Sequence, residues 1–357
     1  MIDSLRILVL ADSRSFHTER FVDQLREQGC VVLLASLETG AIEFHQLTRR
    51  GPLSFLHYVF AVGQVRKLVR EFAPDIVNAH FATGYGFLAS LAIGKSGPPI
   101  VLNLWGSDVL VVPHKSALHR AKLSMAIASA SLVCADSGYL LDQARKYREP
   151  RSAAVIPWGI ERVHLKLYNQ DRPLSATPRV IVPRPHETVY NNEFILRSLS
   201  PLLNDGTVTI TFPDWGSGIA SFKALVGNLE CKGVNFYSRA SRPEFLRMMS
   251  QHDVYLSAAS TDSSPVSLIE AMALGLIPIA ADIPGIAEWL TPQTGFLYSP
   301  GDEARLRQCL QQMREFDLAK LCHENHGRVK RHAIFENNVA SQISLMRRCM
   351  EKRGSSR

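Results

Sequence analysis

Short apolar runs alternate with segments of helical period along this chain, and the alternation happens twice. Runs at 6–10, 31–35, 76–79, 100–104, 132–135 and 155–157 read as strands. Between them, 17–28, 55–72, 84–93 and 115–130 carry a helical pattern. Strands separated by helices run parallel, because each helix returns the chain to the same end of the sheet and covers one of its faces. Residues 166–178 break the pattern: they are polar, contain Pro173 and Pro178, and have no period, which reads as a linker. The alternation restarts with strands at 180–182, 207–212, 234–237, 254–257 and 277–280, and helices at 192–203, 219–229, 243–250 and 266–274. A chain of 357 residues is long enough for two domains. The expected class is α/β, with two doubly wound, Rossmann-like domains facing a cleft. The first covers 1–165 and the second 179–325. In such sheets ligands bind beyond the carboxyl ends of the strands, where the polar loops of this chain fall.

The most informative of those loops runs from Asp262 to Glu270 and reads as a loop breaking into a helix. Ser264 is expected to cap the helix and Pro265 to occupy its first position. The amides of Val266 and Ser267 would then point out of the helix start, an anion site favoured by the helix dipole. Glu270 shares their face and can accept hydrogen bonds from ribose hydroxyls. Asp262 offers a second hydroxyl acceptor ahead of the same cradle, so one segment carries what a nucleotide-sugar needs. A serine–proline helix start is also a common structural feature. Arg184, after the first strand of the second domain, reads either as a clamp on a diphosphate or as a turn residue in a surface ion pair. In the first domain, Trp105, Gly106, Ser107 and Asp108 end a strand. Ser107 and Asp108 offer hydroxyl-binding groups, or Asp108 caps the next helix. His80 ends another strand, as a hydrogen-bond donor to substrate or a satisfied inner histidine, and the loop 12–18 with His17 joins the first strand to its helix.

Charge and cysteine usage narrow the class. Forty basic and thirty-three acidic residues give +7. The basic residues gather at Arg49–Arg50, at Arg66, Lys67 and Arg70, at Arg328, Lys330 and Arg331, and at 347–357. Solvated helix faces, an anionic substrate and an anionic membrane surface all fit these clusters. A nucleic-acid platform does not, because no run is dense or interleaved with aromatics. The six cysteines form no Cys-x-x-Cys pair and read as reduced thiols. There is no secretory signal and no apolar run of about 18 residues. The expected location is cytoplasmic, with peripheral attachment to the inner face of the membrane through the basic, aromatic segment 55–70 as a further possibility. His323, Glu324, Asn325 and His326 have the wrong spacing for a zinc helix and are expected at the surface. No Asp-x-Asp pair, P-loop or Gly-x-Gly-x-x-Gly is present, so no metal and no cofactor is expected.

These residues match a known pattern. Asp262–Glu270 continues into Glu-Ala-Met-Ala-x-Gly and then 277–288. Together with 79–81, 105–108, 135–137 and 156–159, it resembles the retaining glycosyltransferases of family four, the group-1 type with the GT-B fold, from about Leu5 to about Glu336. The resemblance implies a nucleoside diphosphate sugar, most often a UDP-sugar, as donor. It implies a hydroxyl acceptor on a saccharide or lipid-linked glycan, and a C-terminal helical segment, 326–357, packing back on the first domain. It places Glu270 on the ribose, Asp262 on the donor sugar, and Arg184 on the donor phosphates. His80, Trp105 and Asp108 fall on the acceptor side. Three departures stand out. Asp262 replaces the usual glutamate, Trp105 a usual histidine, and no lysine follows Arg184 by five residues, so a second phosphate cation comes from His186, from Arg197, or not at all. The departures keep a non-catalytic nucleotide-sugar-binding scaffold open as an alternative. A nucleotide-sugar epimerase is a second.

Overall fold

Leucine, isoleucine and valine fill two parallel sheets whose central strands are buried on both faces. The computed structural model describes residues 4–40, 42–47, 54–94, 96–170 and 172–354, with backbone alone at 54–59 and 352–354. Arg49, Arg50, Asp171 of the expected linker and the tail 355–357 lie outside them. The chain divides into two compact units, residues 1–157 with 336–357, and residues 158–335.

In the first unit the chain runs β1 (Arg6–Leu10), α1 (Phe16–Glu27), β2 (Val31–Ser36), β3 (His45–Gln46), α2 (Ser54–Phe72) and β4 (Ile76–His80). A π-helical turn, Phe81–Gly86, leads into α3 (Phe87–Ala92), where the sequence pattern suggested a single helix. Then follow β5 (Ile100–Asn103), α4 (Ser107–Leu110), α5 (Ala117–Ser129), β6 (Leu132–Ala135), α6 (Gly138–Arg145) and β7 (Ala153–Val155). The last strand sits two residues earlier than the expected 155–157, because Ile156 bonds back to Ala135 only as the sheet ends. The strand order is β3-β2-β1-β4-β5-β6-β7, all parallel, so the order reverses between β1 and β4. Phe81, just past β4, has φ of 67°, a left-handed conformation that costs a bulky residue about 1–3 kcal/mol.

The second unit contains β8 (Arg179–Ile181), α7 (Asn192–Asn204), β9 (Thr209–Pro213), α8 (Ile219–Asn228), β10 (Val234–Tyr237), α9 (Arg242–Met249) and β11 (Val254–Ser257). It continues with α10 (Val266–Leu274), β12 (Ile277–Ala281), α11 (Pro284–Ala287), β13 (Phe296–Tyr298), α12 (Glu303–Gln312) and α13 (Leu318–His332). Its order, β10-β9-β8-β11-β12-β13, reverses between β8 and β11. Every residue of α10 from Ser267 to Leu274 is buried, since α13 packs over the face that the sheet leaves open. The expected surface position of 323–326 therefore fails in part. Asn325 is fully buried and donates to the Thr294 carbonyl at 2.7 Å, and His326 bonds the Ala273 carbonyl at 2.7 Å while stacking on Tyr168.

The second unit is entered and left through adjacent segments. Ile160 donates to the Ala333 carbonyl at 3.0 Å, and Phe335 donates to the Ile160 carbonyl at 2.9 Å. Gly159, with φ of 68°, is required there, because a Cβ would lie 2.2 Å from the Ala333 oxygen. The chain then enters α14 (Phe335–Gly354), whose Val339, Gln342, Ile343 and Met346 are buried within the first unit. Burying three such apolar side chains contributes about 5–8 kcal/mol, a large part of one domain's stability. Ending the chain at Phe335 is expected to abolish the cooperative urea transition of the first unit while the second still unfolds cooperatively. Two unchanged transitions would refute this.

Candidate functional site

In the second unit, the strand-order reversal places the loops after β8 and β11 side by side, and two of the expected residues meet there. The Arg184 guanidinium, from the loop after β8, forms an ion pair with Asp262, from the loop after β11. It also lies over the Tyr190 ring, 4.9 Å from the centroid. Burial pulls the guanidinium's pKa down, but the Asp262 carboxylate and its neighbours outweigh this and hold it above the ordinary value, so Arg184 is a fixed cation. The Asp262 loop is itself clamped. Gly285 of α11 lies so close that a Cβ would sit 2.1 Å from the Ser263 oxygen and 2.3 Å from that of Asp262.

The helix start after this loop differs from expectation in its chemistry. Pro265, not Ser264, is the N-cap of α10, and no side chain caps it. The Ser264 hydroxyl accepts instead from the Trp289 indole at 2.9 Å, which fixes the loop from the side. The consequence strengthens the anion site: among the described residues, no acceptor takes the amides of Val266 and Ser267. Ser267 also shares a hydroxyl contact with Tyr255 at 3.3 Å. Glu270 is 3% exposed, and its Oε1 accepts from Arg242 Nη1 at 2.5 Å, while Arg242 Nε bonds both oxygens of Glu161 at 2.9 and 3.0 Å.

Arg242 is the cation that sequence reasoning missed. It starts α9 directly after the Ser241–Glu244 capping box, and a capping box reads as a helix signal, not as a site. Tyr237, at the end of β10, was missed for the same kind of reason, as one more aromatic on a strand. Its hydroxyl is buried beside Glu270 and Arg184 and has no hydrogen-bond partner among the described residues, and Arg184 Nε lacks one as well. Unsatisfied buried donors are rare in native folds and mark places where a ligand completes the bonding. The two residues suggested as a second phosphate cation do not serve. Burial lowers the His186 pKa, and its ring packs 4.1 Å from that of Phe222 while Nε2 donates to the Pro213 carbonyl at 2.8 Å. Arg197 is an exposed residue of α7. The loop 214–218 is tied to 186–187 through Ser217 and Gly218, an ordinary interlocked turn.

In the first unit the reversal between β1 and β4 opens a cavity of about 1280 Å³ lined by residues of the loops after both strands and of α2, α3 and α5. His80 and Trp105 line it, and the rings of His17, Trp105 and His80 form a cluster with centroids 5.4 and 5.5 Å apart. His80 Nε2 is engaged inside the protein. That nitrogen lies 2.7 Å from Asn78 Oδ1 and 3.0 Å from Asn103 Nδ2, inside a buried network completed by Gln342 of α14, which donates to Asn103 Oδ1 at 2.6 Å. Asp108 is fully buried, and its two oxygens accept from the amides of Ala82 at 2.7 Å and Trp105 at 2.9 Å, so it braces the loop instead of presenting a carboxylate to ligand. Ser107 is exposed at the start of α4. The six cysteines form no disulfide, and among the described residues no group of three or more His, Cys, Asp and Glu could hold a metal ion. No described helix is long and apolar enough to cross a membrane.

Comparison with known proteins agrees with this geometry. The family model described as glycosyl transferase 4-like matches residues 6–137, and that of glycosyl transferases group 1 matches residues 180–315. The chain belongs to the group 1 glycosyltransferases of GT-B fold. It is 25% identical over 257 residues to the putative teichuronic acid biosynthesis glycosyltransferase TuaC of Bacillus subtilis, covering 68% of this chain but only 61% of that protein. It is 23% identical to the N-acetyl-alpha-D-glucosaminyl L-malate synthase of Bacillus anthracis, over 75% of this chain and 72% of the relative. Its fold is that of sucrose-phosphate synthase from Thermosynechococcus elongatus, with a TM-score of 0.82 at 15% identity over 98% of this chain and 100% of that one. Anabaena HepE in complex with UDP-glucose shares the fold as well, with a TM-score of 0.76 at 17% identity over 95% of this chain and 99% of that one.

The buried pair on this glycosyltransferase's first unit gives opposing pH effects. Burial lowers the His80 pKa from 6.5 to about 3 and raises that of Asp108 from 3.8 to about 6. The unfolded chain takes up the histidine proton first, so the His80 contribution is complete above pH 6.5 and falls as pH drops toward 3. For Asp108 the folded state takes up the proton first, so its contribution grows as pH falls from 6 toward 3.8. Urea unfolding from pH 6.5 to 5 is expected to show His80→Gln losing about 2 kcal/mol less than the parent, and Asp108→Asn losing more. Parallel curves for all three chains would refute the assignment.

Proposed function

We propose that this glycosyltransferase moves a hexose from a nucleoside diphosphate sugar, a UDP-sugar foremost, to a hydroxyl acceptor in glycan or glycolipid assembly. In this reading transfer occurs with retention and without a metal. The observation that carries it is the convergence, at one strand-order reversal, of a fixed cation, two unbonded helix-start amides and two unsatisfied buried donors. The complex of the similarly folded Anabaena protein with UDP-glucose supports the choice of donor.

The second unit holds the nucleotide. The diphosphate lies on the Val266 and Ser267 amides and takes over Arg184 from Asp262, which then turns to the donor sugar. Glu270, held by Arg242, accepts the ribose hydroxyls. As the bond from C1 to the phosphate oxygen breaks, negative charge grows on the leaving diphosphate, where Arg184 and the amides stabilise it. The acceptor oxygen bonds to C1 from the same face and its proton passes to the leaving phosphate, so no separate base is needed. His80, Trp105 and His17 border the acceptor on the first unit.

Three single variants, one double variant and one ligand test this. UDP is expected to raise the melting temperature equally with and without a chelator. Arg184→Ala should lower kcat by about 100-fold or more, the loss typical of one charge-stabilising donor. Glu270→Gln should weaken UDP binding about tenfold, and Tyr237→Phe less. An Arg184→Ala, Glu270→Gln variant transferring sugar at the parental rate would refute the mechanism, and UDP binding without any transfer or donor hydrolysis would favour a scaffold.

An anionic membrane surface is the proposed partner of α2. Phe60 is 64% exposed on this helix, and Arg66, Lys67 and Arg70 are exposed along it, an arrangement suited to interfacial docking. Flotation with vesicles containing anionic lipid at low salt is expected to carry the chain upward, and a Phe60→Ser, Lys67→Glu variant to remain below. Absence of binding to such vesicles would remove this partner.

A further inference from the structure

A diphosphate entering the second unit's crevice must take its cation from a carboxylate that cannot leave. The ion pairs of this region join Arg184 to Asp262, and Arg242 to Glu161 and Glu270. Two guanidinium groups thus face three carboxylates, so these paired groups carry an excess negative charge before any phosphate is added. Arg242 is committed, because its Nε holds both oxygens of Glu161 and its Nη1 holds Glu270. Arg184 is the cation that can move. Its guanidinium lies over the Tyr190 ring, 4.9 Å from the centroid, and can pivot there while keeping that contact.

Asp262 has less freedom. Gly285 packs so closely that a Cβ would lie 2.3 Å from the Asp262 oxygen and 2.1 Å from that of Ser263, and the Trp289 indole holds the Ser264 hydroxyl at 2.9 Å. The backbone therefore cannot follow Arg184, and the carboxylate, 17% exposed, stays in the crevice. Among the described residues, its Oδ1 accepts from the Ser263 amide at 2.9 Å, and its Oδ2 has Arg184 and nothing else. Once Arg184 turns to a phosphate, Oδ2 becomes a partly buried charge beside two phosphates, and such a charge is costly unless a donor reaches it. A nucleotide-sugar brings hydroxyls that can donate there. A free nucleoside diphosphate brings none, and the second ionisation of its terminal phosphate adds about one further negative charge near neutral pH. A crevice built on cations alone would prefer that more highly charged species, whereas this one penalises it twice.

We propose that Asp262 makes the second unit select the sugar-bearing nucleotide over the free diphosphate. The carboxylate yields Arg184 when the sugar's hydroxyls replace it. After transfer it reclaims the guanidinium, which favours departure of the diphosphate product. This role of Asp262 rests on the donor reading proposed above.

The test is titration calorimetry of the full chain in the presence of a chelator, which keeps the nucleotides metal-free. The probes are UDP, UDP-glucose, UDP-galactose, UDP-N-acetylglucosamine and UDP-glucuronic acid. One of the UDP-sugars is expected to bind the parent about fivefold or more tighter than UDP. Asp262→Asn, which keeps the side chain's size, is expected to bind UDP about tenfold or more tighter than the parent, and tighter than any of the UDP-sugars. Asp214→Asn removes a carboxylate paired with Lys223 just past the neighbouring strand β9, and is expected to change UDP affinity less than about twofold. The comparison of UDP with its sugars on the parent needs no variant, so it decides the matter even where Asp262→Asn fails to fold. Unchanged or weaker UDP binding by Asp262→Asn overturns the proposal, as does an equal gain in Asp214→Asn, or a parent that binds UDP more tightly than every UDP-sugar. If UDP and a UDP-sugar bind the parent equally and Asp262→Asn alters neither, the role of Asp262 is wrong and the donor reading stands. If no probe binds either chain, the donor reading is at fault and the role of Asp262 falls with it.

Discussion

Parallel strands whose order reverses cannot close the sheet edge at the point of reversal. The two loops leaving the adjacent strands go to opposite faces and a crevice stays open between them. Both units use this constraint. In the second unit it brings Arg184 and Asp262, 78 residues apart in sequence, into one ion pair. In the first it opens the cavity beyond β1 and β4, where His80 and the strained Phe81 leave the strand. The chemistry of each loop is local, but the meeting of the loops follows from strand order alone.

Ion pairing at the second unit's crevice is organised in two tiers. Arg184 with Asp262 and Arg242 with Glu270 and Glu161 keep every buried charge matched while no anion is bound, which matters because a lone buried charge costs several kcal/mol. Arg242 is shared by two carboxylates, so Glu270 stays oriented whatever Arg184 contacts. What remains unmatched among the described residues is directional: the amides of Val266 and Ser267, the Tyr237 hydroxyl and the Nε–H of the Arg184 cation. The amides are held in place by the helix, so they meet an arriving diphosphate at little reorganisation cost, the form of preorganisation that favours charge developing on a leaving group.

Much of this was legible in the sequence because it depends on period and on local order. Eleven of the thirteen described strands follow from short apolar runs, whereas β3, a two-residue His45–Gln46 pairing, and β13, three residues at the sheet edge, were not read; α10 appears at 266–274 as its helical pattern requires. The glycosyltransferase family was readable from 262–288, where loop, cradle and carboxylate lie within one stretch. The misses share a different cause. The cap of α10 went wrong because the Ser264 hydroxyl is claimed by Trp289, 25 residues away, and no local rule contains that partner. Arg242 was hidden behind a capping box, and Asp108 behind a motif whose carboxylate turned out to be occupied by two amides. His186 looked like a phosphate ligand by position, but Phe212 and Phe222 enclose it.

The His80 network shows how far such non-local control reaches. Nε2 stands between an acceptor, Asn78 Oδ1 at 2.7 Å, and a donor, Asn103 Nδ2 at 3.0 Å, so the network accommodates either tautomer of the ring. Burial holds that ring neutral down to about pH 3. The orientation of the Asn103 amide is fixed in turn by Gln342, whose Nε2 donates to Oδ1 and so directs the Asn103 Nδ2 toward Asn78 and His80. A residue in the last helix of the chain therefore takes part in the hydrogen-bond network around a ring on the fourth strand. The return of 336–357 to the first unit is thus as much a condition for the chemistry of that cavity as for its stability.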